Sequence, residues 1–391
     1  MPGHSPPTAL KARQVFDGEY WQWDHAVLLR GEYIEDICPA DEVPQGVPVN
    51  NLGDVILAPG LIDIQVNGGG GQLFNNQADA QAVSQIAAAH RRFGTTGLMP
   101  TIISDTPAVH RAAAKAISEA RHSGEKGILG LHIEGPFFEP GRRGTHKAEM
   151  IRPLEDADLA WLCTLQDFPV MLTIAPEHVT SDQLRALARA GLLLCAGHTN
   201  ANYADIRRAI DCGLRGFTHL FNAMSPLTAR EPGTVGAALD DSNTWAGIIA
   251  DGHHVHPTTI SLAKRCKSPE KLLLVSDAMA TVGAADDSFE LYGERIQTKD
   301  GRLVNAEGKL AGSAIALIDA VRIAHQLSGI ELGECLRMAS LYPAAFLKLE
   351  GELGRLQRGY RADLLCFDAG YRVTDTWVAG QHATHVHPAC A

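Results

Sequence analysis

What this chain lacks narrows its class before any motif is read. It has no surplus of positive charge: 34 Lys and Arg stand against 45 Asp and Glu, a formal net charge of −11. That balance argues against nucleic acid or an anionic membrane as the main partner, although a few local cations could still hold a small anionic substrate. No apolar run in the 391 residues approaches the roughly 20 needed to span a bilayer. The opening MPGHSPPTAL lacks the basic start and apolar stretch of a signal peptide. The eight cysteines (Cys38, Cys163, Cys195, Cys212, Cys266, Cys335, Cys366 and Cys390) are scattered singly with no CxxC pair. In a chain of this size such spacing predicts reduced core thiols rather than disulfides. Internal repeats, charge blocks and low-complexity segments are missing too. The expectation is a soluble, cytoplasmic protein.

What is present is an alternation. Residues 8 to about 57 contain short β-like pieces (ALKARQVF, HAVLLRG, EYIEDICP) broken by Gly, Pro and Asp, which predicts a small sheet. From Val55 onward, apolar strand, loop and helix repeat. The strand candidates are VILAPGLIDIQV, TGLMPTII, GILGLHIE, VMLTIAPE, GLLLCAGH, GFTHLFN, WAGIIADG and KLLLVSDA, eight in all. Between them lie helical stretches such as ADAQAVSQIAAAHRRFG, HRAAAKAISEARHSG, TSDQLRALARAG, NYADIRRAIDCG and PTTISLAKRC, several starting at Thr, Ser, Asn or Asp and ending at Gly. Strands apolar on both faces and alternating with amphipathic helices predict a parallel sheet. Eight such units favour a closed (β/α)8 TIM-like barrel over an open sheet. After the eighth strand, LYGERIQTKDGRLVN predicts a short β insertion and ALIDAVRIAHQLSG a helix; GYRADLLCFDAGYRVTDTWVAGQ then returns to β pattern. The expected architecture is therefore α/β, with a barrel over 58–349 and a small β-sandwich domain built from both termini, 1–57 and 350–391.

Four residues carry the chemistry. Glu134 in LGLHIEGPF, His198 in LLLCAGHTN and His219 in GFTHLFNAM end the third, fifth and sixth candidate strands; Asp277 in LLLVSDAM ends the eighth. Strand ends of a parallel barrel meet on one face, where active sites of this fold lie. Two imidazoles and a carboxylate that leave a position open match a catalytic zinc site. Any one of them alone reads as an ordinary hydrogen-bonded residue, and Asp277 as a loop cap; the set of four reads as a metal hydrolase. Asp277 is the candidate general base and then acid for a metal-activated water.

These segments, with APGLIDIQVNGGGG (58–71), GLHIEGPFFEP–GRRGTHK (130–147), AGHTNA (196–201), THLFNAMSPL (218–227), ADGHHVHP (250–257), VSDAM (275–279) and LAGSAIAL (310–317), resemble the amidohydrolase superfamily and, within it, the N-acetylglucosamine-6-phosphate deacetylases. The resemblance covers essentially the whole barrel in order. It implies a (β/α)8 barrel with a small β domain from both chain ends. It also implies hydrolysis of N-acetylglucosamine 6-phosphate to glucosamine 6-phosphate and acetate. The alternatives are N-acetylgalactosamine 6-phosphate or another amide. Many superfamily members carry HxH on strand one for a second metal, where this chain has Gln65 and Asn67. Amides are poor ligands beside imidazole, so one divalent metal per subunit is expected: Zn²⁺ by ligand type, with Fe²⁺, Mn²⁺ or Co²⁺ open. The tail does contain an HxH, His385 and His387, after the last expected strand, and it reads as a surface coincidence.

The resemblance also assigns the substrate pocket. His146 in RRGTHK would polarise the acetamide carbonyl with the metal, beside Thr145; without the family it reads as a solvated loop histidine. Asn222 and Ala223, just after His219, would present backbone N–H groups to the substrate. Arg230 and His254 resemble phosphate contacts. Arg230 in LTAREPG reads equally as a surface arginine or, by the resemblance, as a contact from a second subunit of a homodimer, and His254 is chosen over His253 and His256 by its spacing from Asp251-Gly252. Leu310, Ala311 and Gly312 resemble a loop closing over the sugar. The run Gly68–Gly71 lacks the Lys-Ser/Thr of a phosphate-binding loop and predicts a tight turn beneath the site.

Overall fold

The computed structural model describes residues 6–385. Eight parallel strands, hydrogen-bonded in chain order, form the barrel: Leu61–Val66, Thr95–Ile103, Leu131–Glu134, Val170–Ile174, Leu193–Ala196, Leu214–Phe217, Trp245–Ile249 and Leu272–Val275. Their residues are buried almost without exception, as expected for strands covered on both faces. Backbone bonds close the seam between the eighth and first strands: Asp277 N–H donates to the Gln65 carbonyl (3.0 Å) and Asn67 N–H to the Ala278 carbonyl (2.8 Å). The (β/α)8 expectation is borne out.

The five expected helices form at 80–91, 107–122, 181–189, 203–211 and 257–266. Four begin at the side-chain caps their sequences advertise: Asp79, Thr106, Thr180 and Asn202 accept the backbone N–H of Ala82, Val109, Gln183 and Asp205. Each such cap contributes about 1 kcal/mol. The β insertion is a three-stranded antiparallel sheet, Ser288–Leu291, Glu294–Lys299 and Arg302–Val304, and the helix after it spans Leu317–Gln326.

One expected strand is two. VILAPGLIDIQV divides at Gly60: Val49–Pro59 joins the terminal sheet and Leu61–Val66 opens the barrel. A Cβ at Gly60 would lie 1.9 Å from the Thr96 hydroxyl, so the chain can cross from one sheet to the other only at a glycine. The terminal strands pair as one seven-stranded sheet in the order Gln381–Thr384, Val373–Val378, Leu364–Phe367, Val49–Pro59, Thr8–Phe16, Trp21–Arg30, Tyr33–Pro39. That sheet folds over on itself. Ile34 N–H donates to the Tyr360 carbonyl and Ala362 N–H to the Glu32 carbonyl, enclosing Leu10, Val27, Ile34, Leu57, Leu364 and Trp377. The small sandwich-like domain from both termini thus forms around its own core.

Gly68–Gly69 pairs with Gln72–Leu73 across Gly70 and Gly71, both at positive φ, the tight turn expected. Seven cysteines among the described residues are free thiols, and Cys390 lies outside them. Of the tail HxH, His385 bonds to the Thr376 hydroxyl (2.8 Å) and His387 lies outside the described residues. No helix among those described is long and apolar enough to cross a membrane.

Candidate metal centre and catalytic cavity

At the C-terminal ends of the barrel strands, a cavity of about 200 Å³ is lined by Glu134, His146, His198, His219, His254 and Asp277, with Thr145, Asn222, Ala223, Leu310 and Gly312 around them. Each strand ends abruptly there. His198, His219 and Asp277 all have positive φ (50°, 34° and 52°), as do Phe221 and Ala223 just after the sixth strand. Non-glycine residues rarely adopt this conformation, and its clustering is characteristic of functional sites.

Glu134 Oε1, His198 Nε2 and His219 Nε2 face one another at 3.0, 3.1 and 3.2 Å. A tetrahedral ion with ligands at ~2.0–2.1 Å has edges of ~3.3–3.4 Å, so the three atoms are spaced to hold a divalent metal and leave a fourth position free. The His198 tautomer agrees. His198 Nδ1 lies 2.9 Å from the Arg142 carbonyl, which only accepts, so Nδ1 carries the proton and Nε2 presents its lone pair. Burial depresses the His198 proton affinity. Burial opposes charge on Glu134 and His219 as well. The hydrogen bonds nevertheless win: Glu134 is held well below the usual carboxylate range by His198 and His219, and His219 is raised by Glu134. The pocket favours a carboxylate beside positive charge, and a metal supplies that charge.

Gln65 and Asn67, at the positions of the superfamily HxH, both donate to the base, and Gln65 also reaches the triad. Asn67 Nδ2 donates to Asp277 Oδ1 (2.7 Å), and Gln65 Nε2 to the same oxygen (3.2 Å) and to Glu134 (3.4 Å). Burial, reinforced by the charge of Glu134, still raises Asp277 to about 6, a value suited to taking and returning a proton near neutrality. Beneath the triad a buried polar chain, Thr101–His132–Thr173–Thr218, links four strands with bonds of 3.0, 2.8 and 2.7 Å.

His146 is buried, not a solvated loop histidine. The Ser104 hydroxyl (2.7 Å) and the Ser104 backbone N–H (3.3 Å) both lie on its Nδ1. A backbone N–H only donates, so Nδ1 is the bare nitrogen and the proton sits on Nε2. Burial, with His198 next, holds the ring well below the usual histidine range and therefore neutral. His254 Nδ1 donates to Asp251 Oδ2 (2.6 Å), an oxygen pair further fixed by the His253 and His254 backbone N–H groups. That bond selects His254 over its neighbours as the ring held at the cavity.

Two expected contacts are not in the cavity lining of the single chain. Arg230 is exposed, on a loop away from the cavity lining. Ala311 is fully buried between Leu310 and Gly312, and its N–H is engaged by the Leu303 carbonyl. Sequence reasoning missed Ile103, Gly144, Ile249 and Met279 in the lining and Ser104 behind His146. Ser104 directly follows the second barrel strand, in the same end-of-strand region as Glu134, His198 and Asp277 on others, and that proximity was the available signal. A second group of potential ligands, Glu139, Glu177 and His178, is partly exposed. Its carboxylates are already engaged by His178, Thr199 and the Gly141 and Asn200 N–H groups.

Comparison with known proteins agrees with this geometry. The Amidohydrolase family model matches residues 56–385 and the NagA composite domain model residues 9–57. An N-acetylgalactosamine-6-phosphate deacetylase of Shewanella sp. (strain ANA-3) is 40% identical over 85% of this chain and 84% of its own. An N-acetylglucosamine-6-phosphate deacetylase of Haemophilus influenzae is 35% identical over 92% and 94%. The crystal structure of N-acetylglucosamine-6-phosphate deacetylase from Pasteurella multocida superposes with a TM-score of 0.94 at 33% identity, covering 97% of this chain and 100% of that one. The chain belongs to the amidohydrolase family, in the branch of the N-acetylglucosamine- and N-acetylgalactosamine-6-phosphate deacetylases.

Proposed function

We propose that the protein hydrolyses the acetamide of N-acetyl-D-glucosamine 6-phosphate, giving D-glucosamine 6-phosphate and acetate, with Asp277 and His146 as catalytic residues. The observation that carries this reading is one cavity holding the Glu134–His198–His219 triad, a raised carboxyl and a neutral Nε2–H donor. One divalent metal per subunit, Zn²⁺ by ligand type, would be held by the triad; when bound it supplies Lewis acidity that makes water a nucleophile near neutral pH. Asp277 accepts the proton of the attacking water, steadied by Asn67 and Gln65. His146 Nε2–H donates to the carbonyl oxygen as negative charge develops there. Asp277 then returns the proton to the departing amine nitrogen.

Thr145, Asn222, Ala223, Leu310, Ala311 and Gly312 are read as the sugar-binding rim, Ala311 through its backbone position alone. His254 and Arg230 are read as the phosphate contacts, Arg230 supplied by the second subunit of a homodimer. That the single chain leaves Arg230 exposed supports this reading. We further read residues 1–57 and 350–391 as the two parts of the small domain, 58–349 as the barrel, and the cytoplasm as the compartment.

The similarity to the Shewanella enzyme favours a second reading, N-acetylgalactosamine 6-phosphate as the preferred sugar. Amine release from both sugar phosphates and from unphosphorylated N-acetylglucosamine, with and without chelator, tests both. Chelator-sensitive turnover of a phosphorylated sugar is expected, and the faster epimer identifies the substrate. Turnover of neither, in protein shown to hold metal, would overturn the proposal.

A further inference from the structure

The β insertion after the eighth strand has no part in the chemistry above, yet one of its residues touches the machinery. Tyr292, in the turn between Ser288–Leu291 and Glu294–Lys299, donates its hydroxyl to the backbone carbonyl of Ser104. Ser104 is fully buried, and both its hydroxyl and its backbone N–H donate to His146 Nδ1. The residues flanking Ser104 are clamped as well: Ile103 N–H donates to Asn75 Oδ1 (2.9 Å), and Asn75 Nδ2 donates to the Ile103 carbonyl (3.2 Å) and to Asp105 (3.1 Å). Phe138 sets the other side of the ring, edge-on at 5.0 Å while stacked on His198 at 4.3 Å.

A neutral imidazole can carry its proton on either nitrogen, and only the Nε2–H form can donate into the cavity while Nδ1 faces Ser104. We propose that Ser104 and Tyr292 are positioning residues: Ser104 locks His146 in the Nε2–H tautomer, and Tyr292 ties that lock to the insertion by fixing the Ser104 peptide. The insertion is then a brace for the oxyanion donor. Its apolar side packs accordingly, with Leu291, Ile296 and Leu303 in one cluster with Ile103 and Met279. This inference rests on the assignment of His146 as the carbonyl-polarising donor.

The test uses the metal-loaded enzyme and four variants: Ser104→Ala, Ser104→Thr, Tyr292→Phe and the Ser104→Ala/Tyr292→Phe pair. Ser104→Ala is expected to lower kcat roughly 10-fold or more with KM little changed, since the lost donor acts on transition-state charge. Ser104→Thr, which keeps the hydroxyl, should recover most of that loss. Tyr292→Phe should lower kcat less, and the pair should lose no more than Ser104→Ala alone, as expected for residues acting along one path. Nitrogen chemical shifts of His146 report the tautomer without any turnover: wild type should show protonated Nε2 and bare Nδ1, and Ser104→Ala, left with only the long backbone N–H contact (3.3 Å) on Nδ1, a shift toward protonated Nδ1. Unchanged kcat with an unchanged tautomer in folded Ser104→Ala would overturn the proposal. An altered tautomer in protein that turns over neither sugar phosphate would instead uphold the lock and refute the substrate assignment.

Discussion

The floor and the rim of the cavity are built by different means. Glu134, His198, His219 and Asp277 stand at the ends of barrel strands, the first three buried and Asp277 partly so, with His198, His219 and Asp277 in left-handed backbone that the surrounding sheet holds in place. The rim comes from excursions: the loop carrying Thr145 and the segment after the insertion carrying Leu310 and Gly312. Chemistry needs atoms held to tenths of an ångström and is placed on the scaffold, whereas choice of sugar is left to parts that can vary without disturbing it. If that division is right, floor substitutions should act on kcat and rim substitutions on KM.

The largest effect should follow Asp277→Asn. An amide there keeps an oxygen for Asn67 and Gln65 to donate to, so folding and metal content should survive, while turnover falls about 10²–10⁴-fold through loss of the proton carrier. Near-normal turnover in a metal-loaded Asp277→Asn protein would remove the base from the floor. Next comes His146→Phe, which fills the site without a donor. Loss of one oxyanion donor costs about 10²–10³-fold in kcat, and steady-state kinetics should show KM nearly unmoved. A rise in KM alone would shift His146 from the floor to the rim.

Arg230→Ala should be weaker and of the other kind. A charged hydrogen bond to phosphate contributes about 1.5–3 kcal/mol, so KM should rise roughly 10- to 100-fold with kcat retained. Because Arg230 is exposed on its own chain, the sharper version mixes subunits. Arg230→Ala protein, which keeps Asp277, should regain low KM when paired in a dimer with Asp277→Asn protein, which supplies Arg230. No recovery in verified mixed dimers would place the phosphate contact within one chain.

The same division explains what was legible in the sequence. Glu134, His198, His219 and Asp277 were readable because each ends an apolar run, and a parallel barrel converts equivalent strand ends into neighbours. The helices were readable from caps at Asp79, Thr106, Thr180 and Asn202. The break at Gly60 was not, since VILAP and LIDIQV together read as one continuous strand and only the close approach of Thr96 marks where they part. Ser104 was passed over because a serine at a strand end has many uses, and its bond to His146 joins residues 42 positions apart. Arg230 and Ala311 came from the resemblance, not from any local pattern. In one chain, the first is solvent-exposed and the second turns its side chain into the core.

The smallest effect separates two carboxyls raised by desolvation. Asp277 is raised to about 6 by burial and the charge of Glu134; Asp63, to which the Gln65 and Ser276 backbone N–H groups donate, is raised to about 7 by burial. Asp277 lines the cavity and Asp63 is wholly enclosed. A base must be ionised to accept a proton, so kcat/KM should fall as pH drops through the Asp277 value, with a limb at or below about 6 because a metal on the triad stabilises the carboxylate further. Asp63 should instead govern stability. The folded chain keeps a proton there that the unfolded chain releases above the ordinary 3.8, so stability should decline as pH rises from about 4 to about 7 and level off above. Asp63→Asn should flatten that decline in thermal unfolding while leaving the kinetic limb where it was. If the limb moves with Asp63→Asn and the unfolding profile does not, the proton that matters for turnover is not on Asp277.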